Sequence, residues 1–166
     1  MRRSQIHAQV LVYILAMIIM ALILAYGYNA IKDILNKGEF TSLVKFKTEL
    51  KTSITSISHD YGSVKNEEFI VPTGFQEVCF VDLSKITAVL AGREIDSYPI
   101  VKNYINSIEG ENAEPKNVFL IPPGTESDYV GNISVDGGFL CFDASQGRIR
   151  VRLEGLGNRA KISSVT

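Results

Sequence analysis

The sequence predicts an α+β protein: an N-terminal transmembrane helix continuing into an amphipathic helix, packed on an antiparallel β-sheet domain. Three observations predict it. Residues 10–28 form an apolar run without a single charge. Apolar side chains then recur at spacings of three and four over residues 43–61, the period of a one-sided helix. Beyond residue 63, short apolar runs alternate with turns rich in Gly, Pro, Asp and Ser.

The apolar run comes first. As a helix it is roughly 28 Å long at 1.5 Å per residue, about the thickness of a hydrocarbon core. Arg2 and Arg3 precede it, Lys32 and Asp33 follow it, and Tyr13, Tyr26 and Tyr28 lie near its ends. Amphipathic rings favour the membrane interface, and a short tail with arginines and no acid favours the cytoplasm. The organisation expected is therefore a cytoplasmic basic tail over residues 1–9, a transmembrane helix over 10–28, a helical stalk over 29–62 and an extracytoplasmic α+β domain over 63–166. The lipid bilayer is the first partner this implies. Two alternatives compete: a buried core helix, and a cleaved secretory signal ending near Ala25-Tyr26-Gly27 or Tyr28-Asn29-Ala30. The run exceeds the usual ~7–15 residue core of a signal peptide, which favours an anchor.

The stalk pattern meets Asn36-Lys37-Gly38, a stop or hinge signal. Thr41 or Ser42 is then placed to cap a second helix. Leu43, Phe46, Leu50, Ile54, Ile57 and Tyr61 form its apolar stripe, and Gly62 ends it. Docking onto the outer domain is the expected use of the stripe, with helix–helix pairing the alternative.

In the outer domain, residues 69–71, the turn Pro72-Thr73-Gly74 and residues 78–81 read as strand, turn, strand. A short helix is expected over 84–90. A second is expected over 97–108, with Ser97 as cap and Pro99 in its first turn. Residues 117–121 read as a buried strand stopped by Pro122-Pro123-Gly124. The C-terminal runs 129–135, 139–143 and 148–153 are separated by Asp136-Gly137-Gly138 and Ser145-Gln146-Gly147, which predicts an antiparallel meander. Arg148, Arg150 and Arg152 alternate with Ile149, Val151 and Leu153. A period of two puts the arginines on one face and the aliphatics on the other.

Charge and motif content narrow the function classes. The whole chain carries 17 Lys+Arg against 18 Asp+Glu, which gives no case for nucleic acid. Residues 61–166 hold ten basic and fourteen acidic side chains, a net of −4. The arginine face at 148, 150 and 152 is thus expected to pair with neighbouring acids, with contact to an anionic headgroup or acidic partner as the alternative. His7 and His59 belong to no nucleophile motif. No Cys/His spacing suits zinc, and no Gly-rich loop suits a phosphate. The expectation is a non-enzyme without metal or cofactor. Asn132-Ile133-Ser134 is a glycosylation triplet inside an expected strand.

Cys79 and Cys141 are the only cysteines. Outside the cytoplasm a pair of thiols tends to oxidise, so a disulfide is expected, with two buried thiols as the alternative.

A short basic tail, a hydrophobic helix of this length, an amphipathic continuation and an antiparallel sheet together resemble the type IV pilin architecture. That resemblance implies trimming of the tail by a membrane peptidase and packing of the helix with its copies in a filament core. Ala8-Gln9, with Arg2 and Arg3 upstream, is similar to the archaeal trimming site. His7 stands where that site has Lys or Arg. No acid lies between Gln9 and Ile31, whereas bacterial members carry one near the fifth mature position. The implied function is a membrane-anchored, pilin-like structural or surface subunit, self-associating through its N-terminal helix. An anchored monomeric domain that binds or senses outside the cytoplasm is the rival.

Overall fold

The computed structural model describes residues 3–108, 115–121 and 126–165; of residues 3–9, 33–37 and 39 it describes the backbone alone. The chain divides into two compact units, Met1–Thr41 and Ser42–Thr166. Helix α1, Arg3–His59, is one uninterrupted element of 57 residues. The break expected at Asn36-Lys37-Gly38 is absent, and Thr41 and Ser42 start no second helix. Gly costs about 1 kcal/mol in a helix interior, and no proline follows to remove a hydrogen bond, so the long helix absorbs the penalty. Helix α1 ends where the backbone of Gly62 turns to positive φ.

Within the second unit, the last turns of α1 present Phe46, Leu50, Ile54 and Ile57 to the core, with Leu43 partly covered. This is the expected stripe with one exception: Tyr61 lies past the helix end and is exposed. The stripe stops where the 3.6-residue period stops.

Eight strands follow: β1 Val64–Ile70, β2 Glu77–Val81, β3 Val118–Ile121, β4 Ser127–Asp128, β5 Ile133–Val135, β6 Phe139–Asp143, β7 Arg148–Gly155 and β8 Ala160–Ser164. They form two four-stranded sheets rather than one, in the orders β1-β7-β8-β5 and β4-β3-β2-β6. All pairs are antiparallel except β5 with β8. The expected meander is corrected here. Strand β5 pairs with β8, β6 pairs with β2, and β7 pairs with β1 and β8. The Gly-rich turns do reverse the chain, but two of them carry it from one sheet to the other. The strands either side of Pro72-Thr73-Gly74 likewise belong to different sheets. Residues 129–132 form a loop rather than the start of β5. The stop at Pro122-Pro123-Gly124 lies outside the described residues.

Alternation explains the layers. The inward residues of the first sheet, including Phe69, Ile149, Val151, Leu153 and Ile162, meet α1 and one face of the second sheet, namely Val78, Phe80, Val118 and Leu120. The opposite face of the second sheet carries Cys79, Val81, Phe119 and Phe139. It is covered by Val89 of α2 (Ile86–Ala91), by Ile95, and by Val101 and Ile105 of α3 (Pro99–Ser107). The second sheet is thus apolar on both faces, so its strands read as continuous hydrophobic runs. Helix α3 starts two residues later than expected. Ser97 belongs to a preceding 3-10 turn, Glu94–Ser97, and Tyr98 occupies the cap position without a side-chain bond.

One glycine fixes how α1 meets the first sheet. Gly155 accepts from the Gly62 N–H at 2.8 Å and donates to the Ser63 carbonyl at 2.9 Å. A Cβ at Gly155 would fall on the carbonyl oxygens of Ile57 and Asp60, backbone atoms that cannot rotate away. Gly155→Ala is therefore expected to cost about 1–3 kcal/mol by overpacking. Leu50→Ala, which empties a fully buried site, is expected to cost about 2–5 kcal/mol. Lys51→Ala, on the exposed side of the same turn, should change stability by less than about 0.5 kcal/mol. Denaturant unfolding of the full chain in detergent checks all three. Equal losses for Leu50 and Lys51 would contradict the assigned helix face.

Candidate functional site

Four features outside ordinary packing are candidates. The largest is the apolar segment of α1. Val10–Lys32 has a mean hydropathy of 2.7, and none of it is buried. Apolar side chains face every direction around the helix: Leu11, Tyr13, Met17, Met20, Leu24 and Tyr26 are each exposed by roughly two thirds or more. A helix apolar all round needs an apolar surrounding. The candidate processing site, Ala8 and Gln9, falls in the first turns of this helix, and its side chains lie outside those described.

The second feature is the pair Cys79 and Cys141, joined by a disulfide. Strands β2 and β6 place them directly opposite each other, with Cα atoms 4.0 Å apart. Antiparallel registry thus brings together two cysteines separated by 62 positions. Cys79 is fully buried and Cys141 half-buried, both against the layer formed by α2 and α3. The Glu77 carboxylate lies within 4.8 Å of both sulfurs. Bonded to each other, the sulfurs are not thiolates, so this cluster offers no thiolate ligands to a metal. Glu77 instead receives a hydrogen bond from Tyr98, whose ring packs edge-on against Phe139. Burial, with that bond and the charges of Glu77 and Glu94, pushes the Tyr98 hydroxyl up to about 12.

The third feature is the arginine strand. β7 alternates as expected, with Arg148, Arg150 and Arg152 exposed and Ile149, Val151 and Leu153 buried. Neighbouring β1 sets Glu68 opposite Arg150. One Glu68 oxygen accepts from Arg148 at 2.9 Å and the other from Arg150 at 2.6 Å. The Arg150 guanidinium holds the Glu68 carboxyl below the usual range, and Arg148 adds to it. Arg152 faces Asn66 and, among the described residues, has no acid within ion-pair distance. One carboxylate therefore serves two of the three arginines, and Arg152 is the one left without an ion-pair partner among the described residues.

The fourth feature is a cleft of which the sequence singled out one polar lining residue, Asn132 of the glycosylation triplet. Asp82, Ser84, Asn117, Tyr129, Asn132 and Arg159 line this cleft of about 210 Å³. Asp82 and Asn117 are its buried polar residues. Asp82 accepts from the Ser84 N–H at 3.0 Å and the Ser84 hydroxyl at 2.5 Å. Its other oxygen accepts from the Ser134 hydroxyl at 3.3 Å and the Val135 N–H at 3.4 Å. It caps the 3-10 turn Leu83–Lys85 that leads into α2, and it ties β5 to the end of β2. A capping acid directly before the expected helix was the signal available for Asp82. Asn117 accepts from the Val130 N–H and donates to the Gly131 carbonyl, pinning the loop before β5. Its partners lie 13 and 14 residues away, and no local pattern announces them.

Burial alone would raise the Asp82 pKa. The hydrogen bonds from Ser84 and Val135 and the nearby Lys85 ammonium outweigh it and hold the carboxyl below the usual aspartate range. Folding thus favours the ionised form. The stabilisation is fully present above the unfolded-chain value of about 3.9 and is lost as pH falls through the lower folded value. An acid titration of stability should therefore show a decline below about pH 4 that Asp82→Asn flattens, together with lower stability of the variant at pH 7. An unchanged acid limb in the variant would refute the role assigned to Asp82. No protein-family model matches the chain, and neither curated proteins nor solved structures provide a match.

Proposed function

We propose that this chain is a membrane-anchored, pilin-like structural subunit: residues 10–28 cross the bilayer, the domain that follows is displayed outside the cytoplasm, and copies associate through the N-terminal helix. The observation that carries this reading is the 23-residue stretch Val10–Lys32, strongly apolar and without any buried part. Lipid and neighbouring helices of the same kind both supply the apolar surrounding such a segment needs. Arg2 and Arg3 before it support an inward N-terminus, and the Cys79–Cys141 bond supports an oxidising compartment for the domain. The use of one helix for both the exposed apolar segment and a stripe in the domain core supports the pilin comparison.

The rival reading, an anchored monomeric domain that binds a ligand outside the cytoplasm, is favoured by the polar cleft at Asp82 and Arg159. The two readings differ in what the helix does. A bifunctional crosslinker applied to intact membranes should trap oligomers of the full chain, while residues 42–166 alone should sediment as a monomer. A full chain that stays monomeric in the membrane favours the binding domain instead.

Topology and processing have their own test. Protease added to spheroplasts should digest the domain, and alkylation of the denatured, unreduced protein should leave both cysteines unmodified. Intact mass should place the mature start at or near Gln9, with Ala8 replaced by a bulky residue blocking the trimming. Full protection of the domain, with the membrane verified intact, would overturn the orientation.

A further inference from the structure

We propose that Asn132 is a site of N-linked glycosylation and that the cleft beside it houses the first sugar; this rests on the extracytoplasmic placement proposed above. Asn132-Ile133-Ser134 is the single Asn-x-Ser/Thr triplet in the chain. The structure gives its members separate roles. Asn132 is exposed, at the position before β5, an edge strand of the first sheet. Its side-chain oxygen accepts from the Tyr129 hydroxyl at 2.9 Å, which orients the amide and leaves the nitrogen directed away from that bond. Ile133 is buried and anchors the triplet to the core.

Asn132 also lines the polar cleft, together with Ser84, Tyr129, Asn158 and Arg159. Arg159 is half-buried there and, among the described residues, has no acidic partner. Hydroxyl, amide and guanidinium groups around an aromatic ring suit a sugar, whose edges are hydroxyls and whose faces are C–H groups. The roughly 210 Å³ of space is on the scale of one such residue.

The chemistry requires a co-reactant, an oligosaccharide linked through its anomeric carbon to a polyprenyl phosphate or pyrophosphate. The Asn132 Nδ2 forms a bond to that carbon and gives up one proton to a base of the transferase. The carbon–oxygen bond to phosphate breaks, and the lipid phosphate leaves with the electron pair. In the folded chain the Ser134 hydroxyl is engaged with Asp82. Transfer therefore takes place on the extended chain, before β5 docks, and Ser134 returns to Asp82 afterwards.

The test uses full-length protein from the membranes of the cells that naturally make it. Peptides spanning Asn132 are analysed by electron-transfer mass spectrometry. Mass increments of whole sugar units are expected on Asn132, kept by Ser134→Thr and lost in both Ser134→Ala and Asn132→Gln. An unmodified Asn132 in the wild-type chain overturns the inference, and so does modification that survives Ser134→Ala. The same unreduced digest reports the state of Cys79 and Cys141. Unmodified Asn132 with an intact disulfide overturns the glycan alone. Unmodified Asn132 with two free thiols overturns the extracytoplasmic placement as well.

Discussion

An apolar helical segment with no buried part among the described residues sets the terms for everything else. Fully burying one large aliphatic side chain stabilises by about 1.5–3 kcal/mol. More than ten such side chains between Val10 and Ile31 are left about half exposed or more. Even at the lower figure their sum reaches the ~5–15 kcal/mol by which whole domains are stable. A surface of that size is not left in water. The proposed cover is lipid, shared with helices of neighbouring copies, and the apolar girth of the segment suits either.

The other end of the same helix is built to opposite specification. Phe46, Leu50, Ile54 and Ile57 point one way into the core, while Lys45 and Glu49 pair in solvent and Lys47 reaches Glu126 of the loop before β4 at 2.9 Å. Gly155 lets the helix end approach the first sheet closely enough for main-chain bonds. The disulfide ties β6, an edge strand of the second sheet, to its neighbour β2. By loop-closure entropy it contributes about 4 kcal/mol at most, a useful addition for a domain whose core is divided into two clusters.

Local periodicity made much of this legible, and long-range pairing did not. The alternation of Arg148 to Leu153 forces one face in and one out whatever the neighbours, so the sequence alone assigned both faces. The stripe from Phe46 to Ile57 was equally plain. The Gly-rich turns announced reversals but could not say whether the next strand would join the same sheet, and the chain crosses between sheets at Gly137-Gly138 and at Gly147. Asn36-Lys37-Gly38 looked like a break because local propensity argued for one; a long helix with intact hydrogen bonds on either side overrides it. Glu68 and Asn117 owe their roles to partners on other elements, which only the assembled sheets bring into reach, as do the bonds of Asp82 to Ser134 and Val135. The apolar segment of α1 was readable from composition, and its full exposure among the described residues was not.

The claim on which the functional reading stands is that lipid surrounds residues 10–28, and alkaline carbonate extraction of membranes tests it most directly. Peripheral proteins are released by this treatment, and chains with a spanning helix stay in the pellet. The account predicts that the wild-type chain remains with the membrane. It predicts that a chain carrying both Ile18→Arg and Ile19→Arg, two charges at the centre of the segment, is released or never inserted, because each arginine there costs about 2.5–3.5 kcal/mol of insertion free energy. Release of the intact wild-type chain into the carbonate supernatant would contradict the account.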